Sequence, residues 1–388
     1  MAEKFIPLSV PNLKGRELEY VTHAVETEWV STAGPYVSDF EKNVAEYVGT
    51  PGAVACQSGT AGLHIALQLC GVTREDLVLV PTLTFIAAVN PVKYIGAEPM
   101  FMDCDDSLCM DPLKLASFCA EECEMRDGAL FHLKSGRRVP AMVVVHVFGN
   151  MADMESILAI AEQYHLKVVE DATEAIGTKY TAGKLAGKYA GTMGTIGVYS
   201  FNGNKIITTG GGGMIVSQSE ELLRAAKHLT TQAKADEANF IHDEIGYNYR
   251  LTNLQAALGI AQMEQLEGFI ETKIRNYELY KEQLSSIPWL SILPFREGIR
   301  SNHWFYSLVC EAPFPFNPAE LIDKLKSCSI QTRPIWGLIH EQKPYEGSWT
   351  YKIEKAKYYW LRVVNLPCST SLTSEDVERV AVSIHSFN

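Results

Sequence analysis

The chain has 388 residues, which is long enough for a substantial core and predicts two domains. Its composition, 47% hydrophobic and 21% charged, is that of an ordinary globular protein. Lys and Arg total 34 against 46 Asp and Glu, and the resulting net charge of −12 argues against general nucleic-acid binding, which needs clustered basic surface.

Cysteine usage and the first residues predict the compartment. The nine cysteines are an odd number and contain no Cys-x-x-Cys pair, so we expect reduced thiols and no metal site. The N-terminus lacks the apolar segment of a signal peptide, and no window approaches the roughly 18 apolar residues of a membrane span. We therefore expect a cytoplasmic protein that does not bind membranes.

The first predicted helix covers residues 17–30 and carries Leu18, Val21 and Val25 on one face. Further along, an apolar run ends at Cys56, and Ser58-Gly59-Thr60 opens another helix. Free backbone N–H groups and the positive end of the helix dipole make such a terminus a candidate anion site. Taken alone, ordinary N-capping explains the same residues.

Continuous apolar runs then alternate with helices, which is the pattern of a doubly wound α/β sheet. The runs cover residues 77–80, 99–103, 141–146 and 168–169. Phe85 lies where the first run ends, and ligands of open α/β sheets bind at the carboxyl ends of strands, so this ring can stack on a planar ligand or simply pack in the core. Glu170 and Asp171 end the last run, where a buried carboxylate needs a cationic partner.

Residues 195–217 hold the most informative stretch, TIGVYSFNGNKIITTGGGGMIVS. It predicts two buried strands joined by a loop that carries Lys205 and a run of glycines. A partly desolvated lysine favours its neutral amine, which can form a Schiff base with an aldehyde cofactor or a carbonyl substrate. A surface lysine is the alternative.

The rest of the chain changes character. Long helices are predicted from about residue 253, followed from about residue 291 by a mixture of strands and helices. Thr373 begins a capping box for a final helix. We predict a large α/β domain over residues 1–252, connecting helices over 253–290, and a smaller α+β domain over 291–388.

Taken together and in this order, the motifs resemble the DegT/DnrJ/StrS family of nucleotide-sugar aminotransferases, which use pyridoxal phosphate and have the fold-type-I architecture. The resemblance runs nearly end to end through WVSTAGPYVSDFE, CQSGTAGLHIAL, PTLTFIAAVNPV, VVEDATEAIG, YSFNGNKIITTGGGG, GYNYRLTNLQAALG and TRPIWGLIHEQKPY. The set is far more specific than a lone glycine motif.

The resemblance implies roles around the cofactor ring. Lys205 would carry the Schiff base and move a proton between the cofactor and the sugar carbon. Asp171 would keep the pyridine nitrogen protonated, so that the ring remains an electron sink. Phe85 would stack on the ring.

It also implies a phosphate site and a shared active site. Gly59, Thr60 and Ser200 would hold the cofactor phosphate, while Asn248 would reach the phosphate in the neighbouring subunit of an obligatory homodimer. The residues expected in the sugar-nucleotide cleft are Trp29, Ser31, Arg333 and His340.

Two positions depart from the family pattern. Glu174 stands where the family has His or Gln, near the phenolic oxygen of the cofactor. A carboxylate there would share a proton with that oxygen. Gly211 replaces the glutamate of the usual TTGEGG.

The implied reaction moves the amino group of L-glutamate onto the cofactor, giving pyridoxamine phosphate, and then onto a nucleotide-linked keto sugar. The motifs look most like those of the legionaminic-acid-type enzymes, which act on a UDP-linked 4-keto-6-deoxy-N-acetylhexosamine. GDP-perosamine-type 4-aminotransferases come second and 3-keto dTDP-sugar enzymes third. A non-catalytic cofactor- or sugar-binding regulator stays open, whereas a nicotinamide enzyme is disfavoured because no GxGxxG follows the first strand.

Overall fold

The computed structural model describes residues 4–387. Its helices alternate with short strands through the first two thirds of the chain. The α-helices, in chain order, are α1 Glu17–Glu26, α2 Pro35–Val48, α3 Gly59–Leu69, α4 Asn90–Ile95, α5 Pro112–Glu121, α6 Met154–Gln163, α7 Glu220–Thr230, α8 Asn253–Met263, α9 Leu266–Leu284, α10 Pro318–Ser327, α11 Lys355–Trp360 and α12 Ser374–His385.

The strands are two to five residues long. In chain order they are β1 Ala53–Cys56, β2 Leu77–Pro81, β3 Glu98–Met102, β4 Cys123–Arg126, β5 Ala129–His132, β6 Ala141–Val145, β7 Lys167–Asp171, β8 Lys179–Tyr180, β9 Ile196–Ser200, β10 Gly213–Val216, β11 Lys234–Asp236, β12 Ile241–His242, β13 Leu290–Ile292, β14 Ile299–Arg300, β15 Tyr306–Cys310, β16 Arg333–Pro334, β17 Trp349–Tyr351 and β18 Val363–Leu366.

A large mixed sheet forms the centre of the fold, in the order β1-β10-β9-β7-β6-β2-β3-β17. Every neighbouring pair from β9 to β17 is parallel, and β10 alone runs antiparallel to its two neighbours. Strands β2, β6 and β9 are buried at every residue, as expected where helices cover both faces of a parallel sheet. The predicted mostly parallel α/β sheet is confirmed.

The sheet brings distant parts of the sequence to one edge. Because β1, β2, β7 and β9 run in the same direction, the segments that follow their last residues meet at the carboxyl end of the sheet. In open α/β sheets that edge is where ligands bind. The Ser58, Phe85, Asp171 and Lys205 segments all leave strands there.

A second sheet lies in the C-terminal part, in the order β13-β15-β18-β16. The predicted capping box at the start of the final helix, α12, is confirmed. The Thr373 side chain accepts from the Asp376 N–H, and the Asp376 side chain accepts from the Thr373 N–H. Strand β17 belongs to this part of the sequence but pairs with β3 in the large sheet, so the fold joins the two parts more closely than the predicted domain bounds imply. Those bounds stay a prediction.

The first helix is shorter than predicted, and it buries a different face from the predicted apolar one. Helix α1 ends at Glu26, and the side chains that it buries are Glu17 and Ala24. The Glu17 carboxylate accepts hydrogen bonds from the Nε2 groups of Gln262, at 2.7 Å, and Gln265, at 2.6 Å. This polar anchoring turns the apolar face outward, and Leu18 is 80% exposed.

All nine cysteines are free thiols, as the sequence predicts. Across residues 4–387 no helix has the length and apolar character that crossing a membrane requires. The cytoplasmic location stays a prediction.

Candidate active site

An open cavity of about 860 Å³ lies at the carboxyl edge of the large sheet and extends to the second sheet. Eight of the twelve predicted site residues line it. They are Gly59, Thr60, Phe85, Asp171, Glu174, Ser200, Lys205 and Arg333.

Lys205 lines the cavity and lies in the loop after β9. Its side chain is only 12% exposed, and its Nζ lies 3.4 Å from Oε1 of Glu174. The same Nζ lies 4.0 Å from the centre of the Trp304 ring, which is within cation–π distance. A surface lysine is thereby excluded, because this amine is enclosed by a carboxylate and an aromatic face.

Asp171 ends β7 and is 3% exposed. Its Oδ1 accepts a hydrogen bond of 3.1 Å from the Thr173 N–H. Burial raises the pKa of its carboxyl group, partly offset by Thr173 and by the positive charge of Lys205. Within the described residues no cationic group lies within ion-pair distance of Asp171, so the site has a buried carboxylate that a cationic ligand can pair with.

Glu174 follows Asp171 by three residues along the chain and is 4% exposed. Burial raises the pKa of its carboxyl group to about 7, against the opposing effects of Lys205 and of the Phe148 N–H. That N–H donates to Oε2 of Glu174 at 2.8 Å. The carboxyl group is therefore fixed in place and exchanges its proton near neutral pH.

Glu170, the other half of the predicted carboxylate pair, faces away from the cavity. It accepts hydrogen bonds from the N–H groups of Gly191, at 2.8 Å, and Met193, at 2.6 Å, and also from Gly194. His146 Nε2 lies 2.8 Å from its Oε2, with both side chains fully buried. This carboxylate is satisfied by the protein itself and has a structural role.

The N-terminus of α3 supports both interpretations of the Ser58 segment. The Ser58 hydroxyl caps the helix by accepting from the Ala61 N–H at 3.1 Å. The first N–H groups of a helix have no intrahelical acceptor, so those of Gly59 and Thr60 stay available to an anion in the cavity. A side chain at Gly59 would collide with Thr173, since its Cβ would lie 2.8 Å from Thr173 Cγ2. Close approach therefore requires glycine at this position.

Four predicted site residues lie outside the lining of this cavity. The carbonyl groups of Trp29 and Ser31 accept from Asn253, at 2.7 and 2.6 Å. His340 is turned inward, with Nδ1 2.5 Å from the Thr82 hydroxyl. Asn248 pairs with Thr231 in an isolated bridge. Their roles toward substrate and toward a neighbouring subunit stay predictions.

The cavity also contains residues that the sequence did not indicate. Trp304 forms the face over Lys205, and Trp336 stacks near Phe148 with 4.5 Å between ring centres. Asn202 and Asn204 flank the lysine loop. In the sequence Trp304 belongs to the run NHWFYSLVC, which reads as a buried strand, and only the three-dimensional fold turns its ring toward Lys205.

Comparison with known proteins agrees with this geometry. The family model for DegT/DnrJ/EryC1/StrS aminotransferases matches residues 11–385. This chain belongs to that family. It is an aminotransferase that depends on pyridoxal phosphate, as the sequence predicts.

Relatives of this aminotransferase match over almost their whole length. GDP-perosamine synthase of Escherichia coli O157:H7 is 35% identical over 99% of this chain and 99% of the relative. EpsN of Bacillus subtilis (strain 168), provisionally named a pyridoxal phosphate-dependent aminotransferase, is 35% identical over 99% of this chain and 96% of the relative. The crystal structure of a DegT DnrJ EryC1 StrS aminotransferase from Brucella abortus superposes with a TM-score of 0.86, at 28% identity, over 96% of this chain and 95% of the other. The fold-type-I architecture is thereby confirmed.

The residues of this aminotransferase fit its cofactor. Asp171 offers a buried carboxylate without a cation, and a protonated pyridine nitrogen supplies one. The N-terminus of α3 offers N–H groups for a phosphate, and Lys205 offers an amine within the same cavity.

Proposed function

We propose that this enzyme transfers the amino group of L-glutamate to the 4-keto carbon of a nucleotide-linked 4-keto-6-deoxy sugar, with Lys205 as the Schiff-base lysine. The observation that carries the proposal is the enclosure of Lys205 in one cavity with Asp171 and Glu174. A carbonyl-reactive amine beside two buried carboxylates is the arrangement that amino-group transfer needs.

When bound, pyridoxal phosphate supplies the electron sink for the transfer. Asp171 holds a proton at the ring nitrogen, because a buried carboxylate without a cation is stabilised by pairing with one. Lys205 would take the proton from the carbon of L-glutamate that bears the amino group, and in the second half of the reaction it would deliver a proton to the sugar carbon that receives the amino group. Phe85, half exposed in the cavity, provides a stacking face.

The phosphate of the cofactor is proposed to lie at the N-terminus of α3. Gly59 and Thr60 would donate N–H groups there, and the Ser200 hydroxyl lines the same part of the cavity. Arg333 lies in the wall on the side of the second sheet, where it would meet an anionic part of the sugar nucleotide.

Two nucleotides compete as the carrier of the sugar. The name of the Escherichia coli relative, GDP-perosamine synthase, favours a GDP-linked 4-keto sugar. The motif EDATEAIGTKY with SFNGNKIITTGGGG favours a UDP-linked 4-keto-6-deoxy-N-acetylhexosamine. Both candidate substrates would receive the new amino group at C4. A dTDP-linked 3-keto sugar ranks behind them.

A homodimer with shared sites is also part of the proposal. Large apolar side chains are exposed around α1, on α4 and around the β11–β12 hairpin, where a second copy would cover them. They include Leu13, Leu18, Val25, Trp29, Tyr94, Phe240, Ile241 and Ile245. Asn248 follows the hairpin and lies outside the lining of the cavity of its own chain, which supports a role toward the site of a second copy.

The test follows the visible absorption of the purified enzyme through staged additions. We expect the band of lysine-bound pyridoxal phosphate to bleach with L-glutamate and to return with a GDP- or UDP-linked 4-keto sugar. Borohydride reduction before the glutamate step should fix the cofactor on the peptide that contains Lys205. Fixing at another lysine would overturn the site assignment, and recovery with a 3-keto sugar alone would overturn the proposed substrate.

A further inference from the structure

The amine of Lys205 lies in a small site built by two other segments of the chain. Oε1 of Glu174 is 3.4 Å from Nζ, and the centre of the Trp304 ring is 4.0 Å from it. Glu174 follows β7, and Trp304 comes just before β15 in the second sheet. The amine is thus held between the two halves of the fold.

Both partners are anchored independently of Lys205. Oε2 of Glu174 accepts from the Phe148 N–H at 2.8 Å. The Trp304 carbonyl accepts from the ammonium of Lys273 at 3.0 Å, and Lys273 is itself 2% exposed. The Glu174 carboxylate and the backbone of Trp304 are therefore each held by a group other than Lys205.

Trp304 also acts on the loop that carries Lys205. Its Nε1 donates to the carbonyl of Asn204 at 2.9 Å, one residue before the lysine. Ring and loop are therefore fixed relative to each other, and the ring stays over Nζ.

A carboxylate and an aromatic face are the two groups that bind an ammonium ion best in a dry site. These contacts are made by Lys205 with a free side-chain nitrogen. When that nitrogen is bonded to the cofactor, it is no longer an ammonium group and cannot make them. We propose that Glu174 and Trp304 form a holding site for the ammonium of Lys205 when the lysine is released from the cofactor, and that Glu174 takes and returns its proton. The inference rests on the proposed role of Lys205 as the Schiff-base lysine.

In this step one proton moves from the ammonium of Lys205 to the carboxylate of Glu174, which leaves a neutral amine and a carboxylic acid. The charged groups that act on Glu174 are Lys205 and the nearby Asp171. Burial raises the pKa of Glu174 to about 7, so that the exchange is possible at neutral pH.

The test uses the full-length protein without cofactor and measures how fast Lys205 is acetylated as a function of pH, by peptide mass spectrometry. In Glu174→Gln we expect the pH midpoint of Lys205 labelling to fall by about one unit, which is about tenfold more labelling at a fixed lower pH, because the ammonium loses its counter-charge. The glutamine keeps the acceptor for the Phe148 N–H. Exposed Lys188 provides the internal control, and its labelling should not change.

Two further measurements separate the holding site from a general structural effect. Trp304→Leu should increase labelling about two- to fivefold, whereas Trp304→Phe, which keeps an aromatic face but loses the Nε1 donor to the Asn204 carbonyl, should increase it less. The infrared difference spectrum of wild type minus Glu174→Gln should contain the band of a protonated carboxyl group below about pH 7.

An unshifted labelling midpoint in Glu174→Gln, together with borohydride fixing at Lys205, would overturn the holding site and leave the proposed function intact. Fixing at a different lysine would overturn both. A missing difference in the carboxyl band would overturn the proton exchange.

Discussion

At the residue scale, Asp171 is the group whose environment most demands a ligand. Its carboxyl group is buried at the end of β7, and within the described residues its hydrogen-bond donor is Thr173. Removing one partner of a buried charge pair costs about 3–5 kcal/mol. The cofactor ring is the partner that the fold leaves room for.

Asp171→Asn should therefore slow the glutamate half-reaction by about 10²- to 10³-fold, since the ring nitrogen loses the carboxylate that keeps it protonated. Stopped-flow absorption with saturating L-glutamate measures the rate. Bound cofactor, determined after release in alkali, shows whether the variant is still loaded. A loaded variant with the wild-type rate would contradict the assigned role.

Glu174 gives the stability of the protein a pH dependence. Its folded-state pKa of about 7 lies above the value of an unfolded glutamate, about 4.3, so the folded state retains a proton that the unfolded state has lost. Stability therefore falls as the pH rises through this window, by at most about 1.4 kcal/mol per pH unit from this group. The contribution is fully present below the unfolded pKa and lost above the folded one.

Glu174→Gln should remove this slope, and the variant should gain stability relative to wild type between about pH 5 and pH 7. Urea unfolding of the cofactor-free protein at several pH values measures the difference. Parallel stability curves for the two proteins would show that Glu174 ionises as it does in the unfolded chain.

Local signals in the sequence made Asp171 and Lys205 candidates, whereas the roles of both residues and the position of Glu174 came from the family resemblance. Asp171 directly follows an apolar run, and Lys205 lies between two such runs beside a glycine cluster. Trp304 and Phe148 reach the cavity through contacts between distant segments, and nothing in their neighbours along the chain distinguishes them from core residues.

At the element scale, the N-terminus of α3 is fixed by tight packing. A Cβ on Gly59 would lie 2.8 Å from Thr173 Cγ2 and 3.0 Å from Ser200 Cβ. The same three segments carry the proposed phosphate and ring contacts, so strain at this point would displace the site as a whole.

Gly59→Ala should lower stability by about 1–3 kcal/mol and weaken cofactor binding, because the extra methyl group overpacks the helix terminus. Gly268→Ala is the matched control: a Cβ there meets nothing within 4 Å, and its position in α9 predicts a gain of about 0.5–1 kcal/mol. Chemical denaturation and cofactor titration measure both variants. Wild-type affinity in Gly59→Ala would rule out this packing argument.

In helix α1 the periodicity of apolar residues does not reveal which face is buried. The apolar spacing of Leu18, Val21 and Val25 correctly indicated a helix, but hydrogen bonds from Gln262 and Gln265 to Glu17 decide which face is buried. Those glutamines lie more than two hundred residues away, so the sequence pattern around α1 could not reveal the orientation.

At the scale of the whole molecule, the proposed shared site predicts that two inactive variants can complement each other in a mixed dimer. Mixing Lys205→Ala subunits with Asn248→Ala subunits should restore activity, because each mixed dimer regains one site with both residues intact. Random pairing predicts about a quarter of the wild-type activity.

Each variant by itself should be inactive, and a refolded mixture is compared with the unmixed variants in the complete reaction. If Asn248 acted only within its own subunit, every site in the mixture would keep one defect and the mixture would stay inactive. That result would contradict the shared site.

The place of β17 in the large sheet has a consequence for biosynthesis. Trp349, Thr350 and Tyr351 cover the edge strand β3 by pairing with residues 100–102. During translation β3 leaves the ribosome long before β17, so the backbone N–H and C=O groups on the outer edge of β3 face solvent until about nine tenths of the chain has emerged. Exposed strand edges invite pairing with other chains. A truncated product that ends before Trp349 should therefore aggregate during expression, even though every proposed cofactor contact is already encoded in it.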